Sequence, residues 1–317
     1  MYDLIVLGGG PAGLTAGIYA ARGKLKTLII EKAMEGGQIS STSEVENYPG
    51  ILETSGVELG MDMKEQAENF GAEFIYEEVS EVQLEGDVKR VVGKNGTYEA
   101  STIIIATGAS PRKMLCQGEE QFAGKGVSYC ATCDAAFYQD LDVYIVGGGD
   151  AAVEEALFVA KFAKKVYIIH RRDELRASKI LQRKAMENEK IDFIFDSVVE
   201  EIKGDKTVKG LVIRNIKTGE VQNVNGDKPI GIFVYVGYDP NTGLFEGQVE
   251  MDRGYIITDS EMRTNIPGVF AAGDLRVKSV RQVITAAADG AIAAVNAQKY
   301  VDEKAGNLYE GFVEQNK

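Results

Sequence analysis

Unbroken apolar runs, rather than long alternating ones, dominate the hydrophobic pattern of this chain. Two segments, YDLIVLGGGPAGLTAGIYAARGKLKTLIIEK from Tyr2 and LDVYIVGGGDAAVEEALFVAKFAKKVYIIHR from Leu141, align without a gap at an offset of 139 residues. In each, a β-rich apolar run ends in three glycines, a helix of small residues follows, and a second apolar run closes the unit. That is the pattern of a βαβ nucleotide-binding half. Each half has a later partner run, ASTIIIATGASPRKM from Ala100 and GIFVYVGYDPNTGLF from Gly231, which predicts a buried strand leaving through glycine and proline. Alternation between Val79 and Tyr98 with a KNG turn, and between Ser197 and Asn225 with KTG, predicts a β-meander attached to each half. After residue 243, GVFAAGD reads as a strand and a long small-residue helix is expected from about Ser279.

These elements predict an α/β protein: two Rossmann-like, three-layer ββα nucleotide-binding domains, the second inserted in the first. The first domain takes residues 1–114 and 244–317, and the inserted domain takes residues 115–243. The closing segment belongs to the first domain because Gly273 and Asp274 end a strand where a carboxylate can hold a ribityl chain or pyrophosphate. The helix that follows directs its positive N-terminus toward a flavin ring.

Chemistry enters with the glycine turns. Gly8, Gly10 and Gly13 follow a strand and open a helix, and Glu31 ends the second strand, where its carboxylate can accept from ribose hydroxyls. Gly147, Gly149 and Ala152 repeat the turn, alanine being small enough to keep helix and strand close. The residue 23 positions after Gly147 is His170, followed by Arg171, Arg172 and then Arg176. A carboxylate repels a 2′-phosphate, whereas guanidinium groups bind one. The first turn therefore fits FAD and the second NADPH, the alternatives being an ordinary tight turn and a solvated helix start.

Length and charge narrow the class. A chain of 317 residues exceeds one typical domain and buries a core without staples. The net charge of −13, with no basic face, argues against nucleic acid. No apolar run approaches the roughly 20 residues of a membrane span, and the N-terminus lacks signal-peptide features. We expect a cytoplasmic protein with no membrane partner.

Three cysteines and one histidine remain. Cys130 and Cys133 stand in SYCATCDAAF. Zinc would need four ligands, and Cys116 and His170 form no second pair, so no metal is expected. A reducing compartment disfavours a structural disulfide. A redox-active dithiol remains, with Asp134 placed to exchange protons or, alternatively, to cap a turn. His170 belongs to the second glycine turn and is unavailable as a base, and Cys116 has no partner by sequence.

Along nearly its whole length the chain resembles low-molecular-weight bacterial thioredoxin reductases. The resemblance is carried by GGGPAGLTA, GGQISSTSEVENYPG, ATGASPR, YCATCDAAF, GGGDAAVEEA, HRRDELRAS, TNIPGVFAAGD and RQVITAAADG. It implies FAD along the first half, with Gly36, Gly37, Gln38 and Asn47 also near it and Arg281 and Gln282 near the flavin end. It further implies that Cys130 attacks the disulfide of thioredoxin, that Cys133 faces the flavin, and that the protein is a homodimer. Asp150 and Ala151 depart from the family's asparagine and serine, and Asp150 adds negative charge near phosphates. The tail beyond Tyr300 is longer than the family leads one to expect.

The expected reaction takes electrons from NADPH through FAD and the dithiol to oxidised thioredoxin. One domain arrangement cannot present the dithiol both to a flavin and to a protein substrate, which predicts rotation of residues 115–243 about linkers near Arg112–Gly118 and Gly237–Leu244. Rival readings are a flavoenzyme fed by ferredoxin, against which Arg171 and Arg172 argue, a glutaredoxin-like or peroxide-reducing acceptor, and a nucleotide-binding redox sensor without turnover.

Overall fold

The first βαβ half comprises β1 (Tyr2–Leu7), α1 (Pro11–Arg22) and β2 (Thr27–Glu31), and is followed by α2 (Gly56–Asn69) and β3 (Glu73–Tyr76). A meander of β4 (Val79–Gln83), β5 (Lys89–Gly93) and β6 (Thr97–Ile105) follows, and β7 (Ala109–Pro111) leads out. The inserted stretch begins with β8 (Val127–Ser128) and the short helix α3 (Ala131–Asp134). The second half is β9 (Asp142–Gly147), α4 (Asp150–Val159) and β10 (Lys165–Ile169), continued by α5 (Lys179–Met186) and β11 (Ile191–Ile194). Its meander is β12 (Ser197–Gly204), β13 (Val208–Asn215) and β14 (Val221–Asn225), after which β15 (Gly231–Tyr235) and β16 (Tyr238–Pro240) return the chain. The last stretch holds β17 (Met251–Asp252), β18 (Tyr255–Ile256), β19 (Val269–Ala271) and α6 (Val283–Lys304). The computed structural model describes residues 1–41, 45, 47–129, 131–226 and 228–307, without the side chains of Ser41, Thr132 and Cys133.

The chain divides into two units, one of Met1–Ser110 with the chain from Pro240 onward, the other of Pro111–Asp239. Both crossings therefore fall four residues before the 114/115 and 243/244 boundaries expected from sequence. β7 and β16 pair with each other in a two-stranded sheet.

In the first unit β3, β2, β1 and β6 form a parallel sheet, and β6 serves two neighbours on its far edge. Its early residues pair antiparallel with β5, while Ile103–Ile105 pair in parallel with β19. Leu4, Ile5, Val6, Ile103, Ile104 and Ile105 are completely buried, as an unbroken apolar run requires when both faces are covered, here by α1, α2 and α6 on one side and by the β4–β5 meander with residues 245–275 on the other. Each such side chain contributes about 1.5–3 kcal/mol of burial. In the second unit β11, β10, β9, β15 and β8 make a parallel sheet, and β12–β14 form a separate antiparallel one.

The last helix starts at Val283, later than the Ser279 expected. Gln282 is extended (φ −141°, ψ 158°), and a reciprocal cap with Thr285 stops the helix from running back through Arg281. Among the described residues no helix is long and apolar enough to cross a membrane, and no group of three or more histidine, cysteine or carboxylate residues could hold a metal ion.

Candidate functional site

In the first unit the strand-to-helix turn is shaped by what cannot fit. Gly8 has φ +114°, and a Cβ there would lie 2.3 Å from the Ala106 carbonyl oxygen, while one on Gly13 would lie 1.9 Å from the Gly8 oxygen. Gly10 heads α1 with no side-chain cap, and a Cβ on it would meet only the Gly36 carbonyl at 3.9 Å. An uncapped helix N-terminus with open space beside it is a binding position for phosphate. Glu31, at the end of β2, accepts from the Gly9 N–H through Oε2 (2.6 Å) and from the Ala33 N–H through Oε1 (2.8 Å). The Gly36 N–H donates to the Gly9 carbonyl (2.8 Å), and a Cβ on Gly37 would lie 3.3 Å from Gly10 Cα. Gln38 Nε2 donates to the Ala109 carbonyl (2.5 Å).

The flavin-side residues named from sequence also converge. Asn47 Nδ2 donates to Gln282 Oε1 (3.2 Å), and Arg281 Nε donates to the Asp274 carbonyl (3.3 Å). Gly273 (φ +90°) lies against α1, where its Cβ would come within 3.0 Å of Ala12 Cβ. Asp274 is mostly buried and its Oδ1 has no hydrogen-bond partner among the described residues. Burial raises its carboxyl above the ordinary range, against the pull of Lys278 and Arg281. An orphaned buried acceptor is costly, so a ligand donor there would be strongly favoured. The glycine cradle and this orphan together fit a dinucleotide bearing a polyhydroxy chain.

The second unit repeats the turn with different chemistry. A Cβ on Gly147 would lie 2.4 Å from the Tyr235 carbonyl oxygen and 2.8 Å from Ala152 Cβ, and one on Gly149 would meet nothing within 4 Å. Gly149 heads α4 without a side-chain cap. The buried His170 imidazole lies on the turn, since a Cβ on Gly148 would be 2.4 Å from its Nδ1. Burial, then Arg176, Arg172 and Arg171, hold its pKa below the ordinary value, so it is neutral at pH 7. The arginine segment folds over the turn: Arg176 and Ala177 donate their N–H groups to the Gly148 carbonyl (2.7 and 3.1 Å). The Ser178 N–H donates to Asp150 Oδ1 (2.7 Å). Asp150 thus anchors the loop that carries the three exposed guanidinium groups.

Cys130 lies outside the described residues, and Cys133 is described only as backbone within α3. Asp134 ends that helix and makes no capping bond to the turn at Ala135–Tyr138. The Ala131 N–H donates to Tyr235 Oη (2.7 Å), and burial raises the Tyr235 pKa so far that the hydroxyl stays protonated. Nearby, burial pushes the Glu155 carboxyl up to about 7, with Glu154 adding to it. Cys116 is half-buried and its thiol is pushed up to about 11 by burial and Glu119, which leaves it unreactive as a nucleophile.

Sequence reasoning missed Tyr235, Glu155, Lys278 and Asp289. Asp289 alone left a signal, as a carboxylate inside the small-residue helix AAADGAIAA. Its partners come from a loop whose path the sequence does not reveal.

The sequence pattern of the pyridine nucleotide-disulphide oxidoreductases matches residues 2–290. The chain is 54% identical over 307 residues to a thioredoxin reductase of Peptoclostridium acidaminophilum, spanning 95% of this chain and 98% of that protein. It is 50% identical over 309 residues to one from Listeria monocytogenes, spanning 96% and 95%. The crystal structure of Lactococcus lactis thioredoxin reductase superimposes with a TM-score of 0.90 at 48% identity, covering 96% of this chain and all of that one.

Proposed function

The chain belongs to the pyridine nucleotide-disulphide oxidoreductase family, and on that premise we propose that it is a flavin-containing thioredoxin reductase that takes its electrons from NADPH. Thioredoxin reductases about half identical over nearly the full length support the acceptor. One observation carries the donor. Where the first half ends its second strand in Glu31, the second half presents Arg171, Arg172 and Arg176 around a neutral His170, a set suited to a 2′-phosphate.

FAD in the first unit would supply the two-electron relay between the nicotinamide and the dithiol. Gly8, Gly10 and Gly13 would receive its pyrophosphate, Glu31 its adenosine ribose, and Asp274 the polyhydroxy chain, with Gly36, Gly37, Gln38, Asn47, Gly273, Arg281 and Gln282 lining the rest. Gly147, Gly149 and Ala152 would receive the pyrophosphate of NADPH.

The Cys130 thiolate attacks one sulfur of the oxidised thioredoxin disulfide, and Cys133 displaces the resulting mixed disulfide. The pair leaves as a disulfide, and thioredoxin gains two electrons and two protons. Asp134, not engaged as a turn cap, exchanges protons with the pair. Residues 115–243 rotate as a body between the two half-reactions, and a cross-link locking them would stop turnover. The protein works in the cytoplasm as a homodimer.

The test is an anaerobic titration of the purified protein with NADPH or NADH, followed by oxidised thioredoxin. NADPH should bleach the flavin at concentrations at least about tenfold below NADH, and thioredoxin should restore the colour. Equal response to the two nicotinamides would defeat the donor assignment. A flavin that stays reduced after thioredoxin is added would defeat the acceptor.

A further inference from the structure

Between β19 and α6 the first unit contains a buried charge cluster that the reaction outlined above does not use. Asp289 lies in the second turn of α6 and is almost fully buried. Its Oδ2 accepts from the Gly273 N–H (3.0 Å) and from Lys278 Nζ (2.7 Å), and Arg276 Nε stands 3.6 Å away. Lys278 Nζ also donates to the Thr285 carbonyl (3.2 Å). The side chains of Asp289 and Lys278 are about nine-tenths buried. Ionised groups this deep are costly unless fully paired, and removing one partner leaves the other stranded.

We infer that Asp289 is a positioning residue for the flavin: it fixes the Gly273 peptide, and through it the Asp274 carboxylate, against the first glycine turn. The inference rests on the flavin reading above. Three features lead to it. Gly273 is in the left-handed region, at φ +90°, where a glycine peptide rotates readily unless its N–H is held. The next residue is Asp274, whose Oδ1 has no hydrogen-bond partner among the described residues to orient it. The residue after Asp289 is Gly290, where a Cβ would lie 2.0 Å from the Ala12 carbonyl oxygen. Gly290 therefore brings α6 onto the backbone of α1 just behind the glycine turn, and Asp289 ties the Asp274 strand end to the same turn of α6. Two adjacent residues set the span between the pyrophosphate end and the polyhydroxy end of the proposed cofactor. Without Asp289 the Gly273 N–H seeks another acceptor and carries Asp274 with it, and binding has to restore the original arrangement.

The test separates the hydrogen bond from the charges. D289N/K278M removes both charges and keeps an acceptor for the Gly273 N–H. D289A/K278M removes the charges and the acceptor, and D289S/K278M, whose hydroxyl falls short of Gly273, serves if the alanine variant does not fold. Arg276 loses its counter-charge equally in all three. The full-length variants are stripped of flavin and titrated with FAD, and the Tm of each flavin-free protein is recorded.

D289N/K278M should bind FAD close to wild type, and D289A/K278M about tenfold more weakly, the equivalent of one lost hydrogen bond. In an Asp274→Ala background the two double variants should bind FAD equally, because the effect travels through Asp274. Equal dissociation constants for the two double variants with Asp274 intact would overturn the inference, as would an undiminished difference once Asp274 is alanine. A wild-type chain without affinity for FAD would overturn the flavin reading and this inference with it, whereas the other two outcomes leave the flavin reading standing.

Discussion

The two βαβ halves share a turn but not the chemistry at the end of their second strands. Glu31 is tied into the first turn by accepting from the Gly9 N–H, so a negative charge is part of the turn itself. At the matching place His170 lies on Gly148, its Nε2 without a hydrogen-bond partner among the described residues. The positive charge comes from the loop that continues from His170, folded back onto the Gly148 carbonyl and anchored by Asp150. The helices differ as well. At position 16 the first half buries an alanine against its core, where the second half places Glu155. The first half thus closes its turn with its own carboxylate, whereas the second carries its charge on an exposed loop.

The comparison can be broken most severely at the third small residue of each turn. Gly13→Ala drives a methyl to within 1.9 Å of a backbone oxygen, and should cost about 3 kcal/mol or more or abolish flavin retention. Ala152→Gly in the other half should cost less than about 1 kcal/mol. Thermal melts and flavin content check both. Next in size, the Arg171→Ala/Arg172→Ala pair should raise KM for NADPH about a hundredfold, at about 1.5 kcal/mol for each hydrogen bond to a charged group, and leave KM for NADH unchanged. An equal loss with both nicotinamides would mean that these arginines do not read the 2′-phosphate.

The Glu155 difference has a pH signature. In the folded chain its carboxyl keeps a proton up to about pH 7, whereas the unfolded chain releases it near about 4.3. The folded state therefore loses stability as pH rises through that window and levels off above it. Glu155→Gln should remove this decline, which is on the order of 2 kcal/mol after allowing for solvent screening, as read from Tm against pH. A smaller effect is expected at Glu31. Glu31→Gln keeps the shape but weakens the acceptor for the Gly9 N–H, and FAD should bind about tenfold less tightly, the equivalent of about 1.4 kcal/mol, by fluorescence titration.

Much of this architecture was legible beforehand, and for local reasons. The runs at Tyr2, Leu141, Ala100 and Gly231 became β1, β9, β6 and β15 because a strand buried on both faces admits few polar residues. The meanders became β4–β6 and β12–β14, with KNG and KTG in their turns. Glycines at fixed spacing marked both turns because a Cβ there meets backbone within 2.4 Å at Gly8, Gly13 and Gly147. The start of α6 was less legible, since it depends on a reciprocal cap between Gln282 and Thr285 rather than on composition.

What the sequence by itself determined is the set of local constraints: two glycine turns, opposite charge at the ends of their second strands, and a closely spaced cysteine pair. Such features follow from steric exclusion and charge over a few neighbouring residues. Only the tertiary structure decided that Asp289 holds Gly273, that Tyr235 takes the Ala131 N–H, and that Asp150 anchors the arginine loop. Those bonds join residues up to 104 positions apart, and an N–H finds its acceptor by where packing has put it, which no periodicity along the chain encodes.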